Sequence, residues 1–191
     1  FSRQHQGYIR GEDLADFQPE WVDPISVNYR GYDVWEIPPN GQGLVALMAL
    51  NILRGFAFSC RDDELTFHRQ IEAIKLAFAD GQKYITDPKQ MSFAPGELLS
   101  DHYAAQRRQL IGSEAAQPQA GTPPQGGTVY LATADGEGNM VSYIQSNYMG
   151  FGSGLVVPGT GIALQNRGHN FSLDPGHENA LVPGKRTYHT I

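Results

Sequence analysis

Only one cysteine, Cys60, occurs in 191 residues, which excludes an internal disulfide framework and any cysteine-based metal site. Charge is also sparse. Asp, Glu, Lys and Arg make up 18% of the chain, the net charge is −6, and no run of one sign occurs. A nucleic-acid surface would need a basic stripe, and there is none. The longest apolar run, Leu44 to Leu50, is core-sized and falls well short of the ~18 residues that a membrane span requires. His5, His68, His102, His169 and His177 lack paired ligand spacing and read as solvent-exposed side chains. GxGxxG, Walker, HExxH and GxSxG patterns are missing, as are internal repeats, so no cofactor or metal is expected. The chain opens at Phe1 without a methionine and both ends read as cut. The lack of a leader therefore leaves the compartment open, bacterial cytoplasm or periplasm.

What is present is an ordinary globular composition, 40% hydrophobic, with 22 glycines and 12 prolines that imply many turns. Residues 1–111 read mostly helical. Glu12 to Phe17 forms a short helix, and Pro24 to Ile37 forms two short strands about Arg30-Gly31. Pro38 to Gly43 is a rigid loop before a helix over Leu44–Phe56. Asp62-Asp63-Glu64 sits at a helix start, where carboxylates favour the dipole. In the helix that follows, Phe67, Ile71, Ile74, Phe78 and Ile85 share one face, and Asp87-Pro88 ends it. Leu98 to Ile111 reads as a further amphipathic helix. Composition then shifts: residues 112–127 hold three prolines and four glycines, with no aromatic residue, as expected of an exposed flexible linker. Residues 128–191 are β-rich, beginning with strands over Thr128–Ala134 and Met140–Asn147. The intervening Asp135–Asn139 lacks the spacing and terminal glutamate of a calcium loop and reads as a turn.

The hairpin carries the chemistry. Centring its turn on Glu137 places Ala134 opposite Met140 and Thr128 opposite Ser146. Directly opposed residues share a face with Cβ atoms ~4.5–5.5 Å apart, which sets a second hydroxyl beside Thr128 unless a bulge shifts the register. Hydroxyl pairs on strands are also commonplace, so the spacing alone leaves a merely structural reading open.

A set of motifs along the chain resembles the γ-glutamyltranspeptidases. Gly11-Glu12-Asp13-Leu14-Ala15-Asp16-Phe17, Asn28-Tyr29-Arg30-Gly31-Tyr32, Pro38-Pro39, Glu72-Ala73 and Ala77-Phe78-Ala79-Asp80 are similar to the later part of that family's large subunit. Thr128, Asp135, Gly138-Asn139, Phe151-Gly152-Ser153-Gly154, Gly161-Ile162, Phe171-Ser172 and Lys185-Arg186 are similar to the start of its small subunit. The resemblance implies an α+β fold, the four-layer αββα sandwich of the N-terminal-nucleophile hydrolases, incomplete in this segment. It also implies a precursor that cuts itself between Gly127 and Thr128 into two subunits, and a small-molecule γ-glutamyl or related acyl-amide substrate. The freed α-amine of Thr128 would then be the general base, since its reference pKa of ~8 lies near the operating range. Gly126-Gly127 would give the backbone the freedom that the acyl shift needs. Ser146 matches the position whose hydroxyl bonds the nucleophile. The family's α-carboxylate arginine lies upstream of this segment and its oxyanion-hole glycines downstream, so the segment alone is expected to be inactive.

The expected substrate-binding positions depart from the family. Where it anchors an α-amino group with asparagine, glutamine and aspartate, this chain has Tyr148, Arg167 and Asn170. The paired serines that hold the α-carboxylate align with His189 and Thr190. A fixed cation at 167 repels an ammonium. The pattern is closer to the divergent bacterial branch that resembles cephalosporin acylases, with Arg167 as a carboxylate clamp; a surface arginine in a loop is the other reading.

Overall fold

The computed structural model describes residues 1–117 and 128–190. Their architecture is α+β, with α1 (Gly11–Asp16), β1 (Ile25–Tyr29), β2 (Tyr32–Glu36), α2 (Gly43–Leu53) and α3 (Glu64–Tyr84) in chain order. These are followed by α4 (Pro95–Leu98), α5 (Asp101–Arg108), β3 (Thr128–Ala134) and β4 (Met140–Ser146). Both strand pairs are antiparallel two-stranded sheets. The β1–β2 turn uses positive φ at Arg30 and Gly31, as a two-residue hairpin loop requires.

Because α2 is apolar on every side, it sits at the centre. Leu44, Val45, Leu47, Met48, Ala49, Ile52 and Leu53 are all buried. Val27 of β1 is buried as well, and β1, β2, α3 and α5 all pack on α2. Its exposed carbonyl end is closed by α5: Arg108 donates from Nε to Ile52 O at 2.7 Å and from Nη2 to Asn51 O at 3.0 Å. This is the usual service of a basic side chain at a helix C-terminus.

The face by which α3 meets α2 is only partly the expected one: Ile74 and Phe78 pack against the core and Ile85 is fully buried, but the rest of the contact is made by smaller residues. Its buried residues include Ala73, Leu76, Ala77 and Gly81, whereas Phe67 and Ile71 are about half exposed. Small side chains let two helix axes approach closely, and a Cβ at Gly81 would lie 2.5 Å from Val45 Cγ2. Size outweighed hydropathy in choosing the face. The amphipathic stretch 98–111 is likewise not one helix, because Ser100 stops and restarts it, accepting from Tyr103 N as the N-cap of α5. Asp63 does the same for α3, accepting from Thr66 N at 2.6 Å.

Of the 112–127 stretch, residues 118–127 lie outside the described residues, and the part before them is held at Gly112 and Ala116. Ala116 N donates to Glu72 Oε2 at 3.1 Å, Lys75 Nζ bonds Ala116 O, and His68 Nε2 lies 2.9 Å from Gly112 O. His68 is therefore half-buried rather than exposed, and so is His177, whose Nδ1 accepts from Asn179 N at 3.0 Å.

The residues after the second hairpin return to the helical half through a buried polar knot. Asn179, 2% exposed, accepts at Oδ1 from Thr86 Oγ1 (2.9 Å) and Tyr188 N (3.1 Å). Its Nδ2 donates to Asn170 O (2.7 Å) and Thr187 Oγ1 (3.3 Å). Asn40 extends the seam, donating to Thr187 O and accepting from His189 N. Tyr188 is thereby inserted into the apolar cluster of Leu44, Val45, Met48 and Ala77. A buried polar group stripped of its partner costs ~1–3 kcal/mol, so Asn179→Ala, which orphans several, should lower the unfolding free energy by about 3 kcal/mol or more in urea denaturation. A loss under about 1 kcal/mol would mean the knot is peripheral.

Candidate functional site

The register of β3 and β4 pairs Thr128 with Ser146 and Ala134 with Met140, without a bulge. The turn that sets this register is closed by Asp135, whose carboxylate accepts from Glu137 N, Asn139 N and Asn139 Nδ2. Those bonds hold its pKa below the usual carboxylate range. Gly127, the expected residue before the cut, lies outside the described residues.

At the far end of β4 the chain turns sharply. Ser146 Oγ accepts from Tyr148 N at 3.0 Å, and Tyr148 adopts φ 77°, a left-handed conformation that bulky residues seldom take. Asn166 then ties this corner down: its Oδ1 accepts from Met149 N, and its N–H donates to Asn147 O. A second tie is Gly152, where a Cβ would stand 2.5 Å from Leu164 O. Only glycine lets that loop close, at φ 68°.

These ties deliver Arg167 to the back of the hairpin's end. It is 3% exposed, so the surface-arginine reading does not hold. Its Nη1 donates to Ser146 O at 3.1 Å, the carbonyl of the residue paired with Thr128. Its Nε and Nη2 are buried with no hydrogen-bond partner, and no acidic side chain forms an ion pair with it among the described residues. The Tyr148 ring lies 5.9 Å from its Cζ, and burial raises the Tyr148 pKa, so this phenol is neutral and no counter-ion. His189 is half-buried nearby; burial first, and the Arg167 charge second, lower its pKa.

Thus Ser146, Tyr148, Arg167 and His189 are brought together. Thr190 follows His189, its hydroxyl buried without a partner. Asn170 is engaged differently: its Nδ2 donates to Tyr188 O at 3.0 Å and its carbonyl serves Asn179, so it belongs to the seam. Sequence reasoning missed Gln165 and Asn166, which brace Arg167 through a Gln165 Oε1 bond to Arg167 N and the corner contacts above. It also missed Asn179. The one available signal was the polar run Gln165-Asn166-Arg167-Gly168-His169-Asn170 inside a Gly-rich, Pro-rich region.

The α+β architecture is one shared with N-terminal-nucleophile hydrolases. Within that class the chain belongs to the gamma-glutamyltranspeptidase family, whose model matches residues 1–191. It is 68% identical to the crystal structure of a cephalosporin acylase from Bacillus halodurans, with a TM-score of 0.88 over 99% of this chain and 34% of that one. It is 41% identical to the glutathione hydrolase-like YwrD proenzyme of Bacillus subtilis, over 96% of this chain and 35% of the relative. An oxamate amidohydrolase proenzyme of Klebsiella pneumoniae is 40% identical, over 94% of this chain and 34% of the relative. The chain spans about a third of the length of these relatives.

The His189 shift can be measured. A His held neutral by the fold contributes stability above the unfolded value of about 6.5, which is lost as pH falls toward the folded pKa, because the unfolded chain takes the proton first. In an NMR titration His189 should have its midpoint below 6.5, and Arg167→Met should raise it by removing a like charge. An unmoved midpoint in a folded variant would place the two groups out of electrostatic reach.

Proposed function

We propose that the full-length protein is a self-processing N-terminal-threonine amide hydrolase or acyltransferase that acts on γ-glutamyl or related acyl amides. The observation that carries this reading is Thr128 at the first position of β3, directly opposite Ser146 and immediately after Gly126-Gly127, in a chain of this family. On this reading residues 1–111 are the end of a large subunit, 112–127 the processing linker and 128–191 the start of a small subunit. The proenzyme names of the two relatives support such a division.

Processing begins when Thr128 Oγ attacks the Gly127 carbonyl carbon. The Gly127–Thr128 C–N bond breaks as the C–O bond forms, and water hydrolyses the ester, leaving Thr128 with a free amine. In turnover that amine takes the hydroxyl proton as Oγ attacks the substrate's amide carbon, then gives it to the departing amine. Water or an acceptor amine next takes the acyl group from Oγ. Ser146 Oγ, already accepting from Tyr148 N, keeps its own proton to donate to Oγ of the nucleophile.

The αββα sandwich is part of the same proposal, and its support is exposure. Leu131, Met140, Val141, Tyr143 and Ile144 of the hairpin are each about half exposed or more, which leaves apolar surface on both faces of one ribbon. A lone two-stranded hairpin is marginal in water; stacking against a second sheet on one side and helices on the other would cover both faces.

Thr128→Ala in the full-length protein should abolish both the split at Gly127–Thr128 and amide hydrolysis. Ser146→Ala should lower kcat about tenfold, the equivalent of one hydroxyl hydrogen bond of ~1.4 kcal/mol. Intact mass and N-terminal sequencing check the first, and steady-state kinetics the second. A small subunit starting elsewhere, or an active unsplit enzyme, would contradict the reading.

A further inference from the structure

A serine hydroxyl rotates freely, so one that must donate to a particular oxygen needs its rotor fixed from outside. Ser146 meets this need through Tyr148. Its Oγ accepts from Tyr148 N at 3.0 Å, which uses one lone pair and turns the hydroxyl proton away from that N–H. Such a bond to the residue two positions on is ordinarily a weak turn contact. The same turn holds Tyr148 at φ 77°, a conformation that a bulky residue keeps only where its surroundings impose it. Asn166 supplies that constraint. It brackets Tyr148 on both sides: its N–H donates to Asn147 O at 3.2 Å, and its Oδ1 accepts from Met149 N at 3.1 Å. Those are the backbone groups directly before and directly after the strained residue. Asn166 also stands at the N-cap of the short 3-10 turn Arg167–Asn170, where an asparagine side chain ordinarily accepts from the turn's own N–H groups. It makes no such bond. Its oxygen is committed instead to a residue 17 positions back in sequence.

We propose that Asn166 is a positioning residue for the hydroxyl of Ser146. By fixing both flanks of Tyr148 it holds Tyr148 N against Ser146 Oγ, and so keeps the Ser146 proton directed at the nucleophile across the ladder. The inference rests on Thr128 being that nucleophile and Ser146 its hydrogen-bond partner, and it adds the residue through which the partner is oriented. The ladder cannot do this alone, because it ends at the Thr128–Ser146 pair and leaves the chain beyond Ser146 to be held from elsewhere. Asn166 acts on turnover through Ser146, so removing either side chain removes the same interaction.

The experiment is a double-mutant cycle on processed full-length enzyme, with γ-glutamyl and glutaryl p-nitroanilides as donors. Asn166→Leu should lower kcat about five- to tenfold, no further than Ser146→Ala does, and leave KM within about twofold. In a Ser146→Ala background the same substitution should change kcat by less than about twofold, because the interaction it serves is already gone. An equal loss in both backgrounds is what a merely structural role would give, and it would overturn the proposal while leaving Thr128 as the nucleophile. So would a loss confined to KM, or no loss in a folded variant. If Asn166→Leu does not fold, Asn166→Gln, which keeps the amide but displaces its oxygen by one methylene, is carried through the same cycle with the same expectations. Wild-type protein that neither splits at Gly127–Thr128 nor turns over either donor would instead overturn the reading of Thr128, and this inference with it.

Discussion

The structure depends on the side chain of Asn179. One buried amide joins Thr86 on the helical side to Tyr188, Asn170 and Thr187 on the other, using both of its donors and accepting twice at its oxygen. These bonds span up to 93 positions of sequence, so they bring together parts of the chain that no local interaction would join. An apolar residue at 179 could add to the core, but it could not fix this geometry. A fully satisfied polar knot specifies one register where packing alone would tolerate several.

The site inherits its geometry from that knot. Tyr188 is fixed by its bond to Asn179 and by insertion against α2, and His189, the next residue, is fixed by Asn40. His189 is near enough for the Arg167 charge to lower its pKa. The Tyr148 ring is also near Arg167, in the corner after β4 where Asn166 and Gly152 hold a left-handed Tyr148 in place. Strain of this kind persists where surrounding contacts over-determine it, and it gathers at functional sites. A buried guanidinium with two nitrogens unpaired among the described residues belongs with it, since both cost stability.

How much of this was legible follows from the range of each interaction. The hairpin was readable because a five-residue turn between two strands of equal length fixes pairing locally, so the opposition of Thr128 and Ser146 emerged from counting alone. Helices α2 and α3 were readable as helices, and Ile74, Phe78 and Ile85 of the expected face do pack on the core; the rest of that face was not readable, because hydropathy favours Phe67 and Ile71 while close packing selects Ala73, Ala77 and Gly81. Ser100 interrupts what periodicity presents as one helix, since a serine hydroxyl competes for a backbone N–H. The seam was illegible: nothing local announces that Asn179 will meet Thr86, or that Asn170 will donate to the Tyr188 carbonyl. Arg167 was visible as an oddity in its position, but its burial was not.

The account's central claim is a nucleophile at Thr128, freed by a cut at Gly127–Thr128. Its most direct test is a crystal structure of processed full-length enzyme reacted with a slow acyl ester and frozen before deacylation. The account predicts continuous density from Oγ of residue 128 into the acyl carbon, beside a free α-amine. An acyl group on any other residue, or a residue 128 still joined to Gly127, would contradict it.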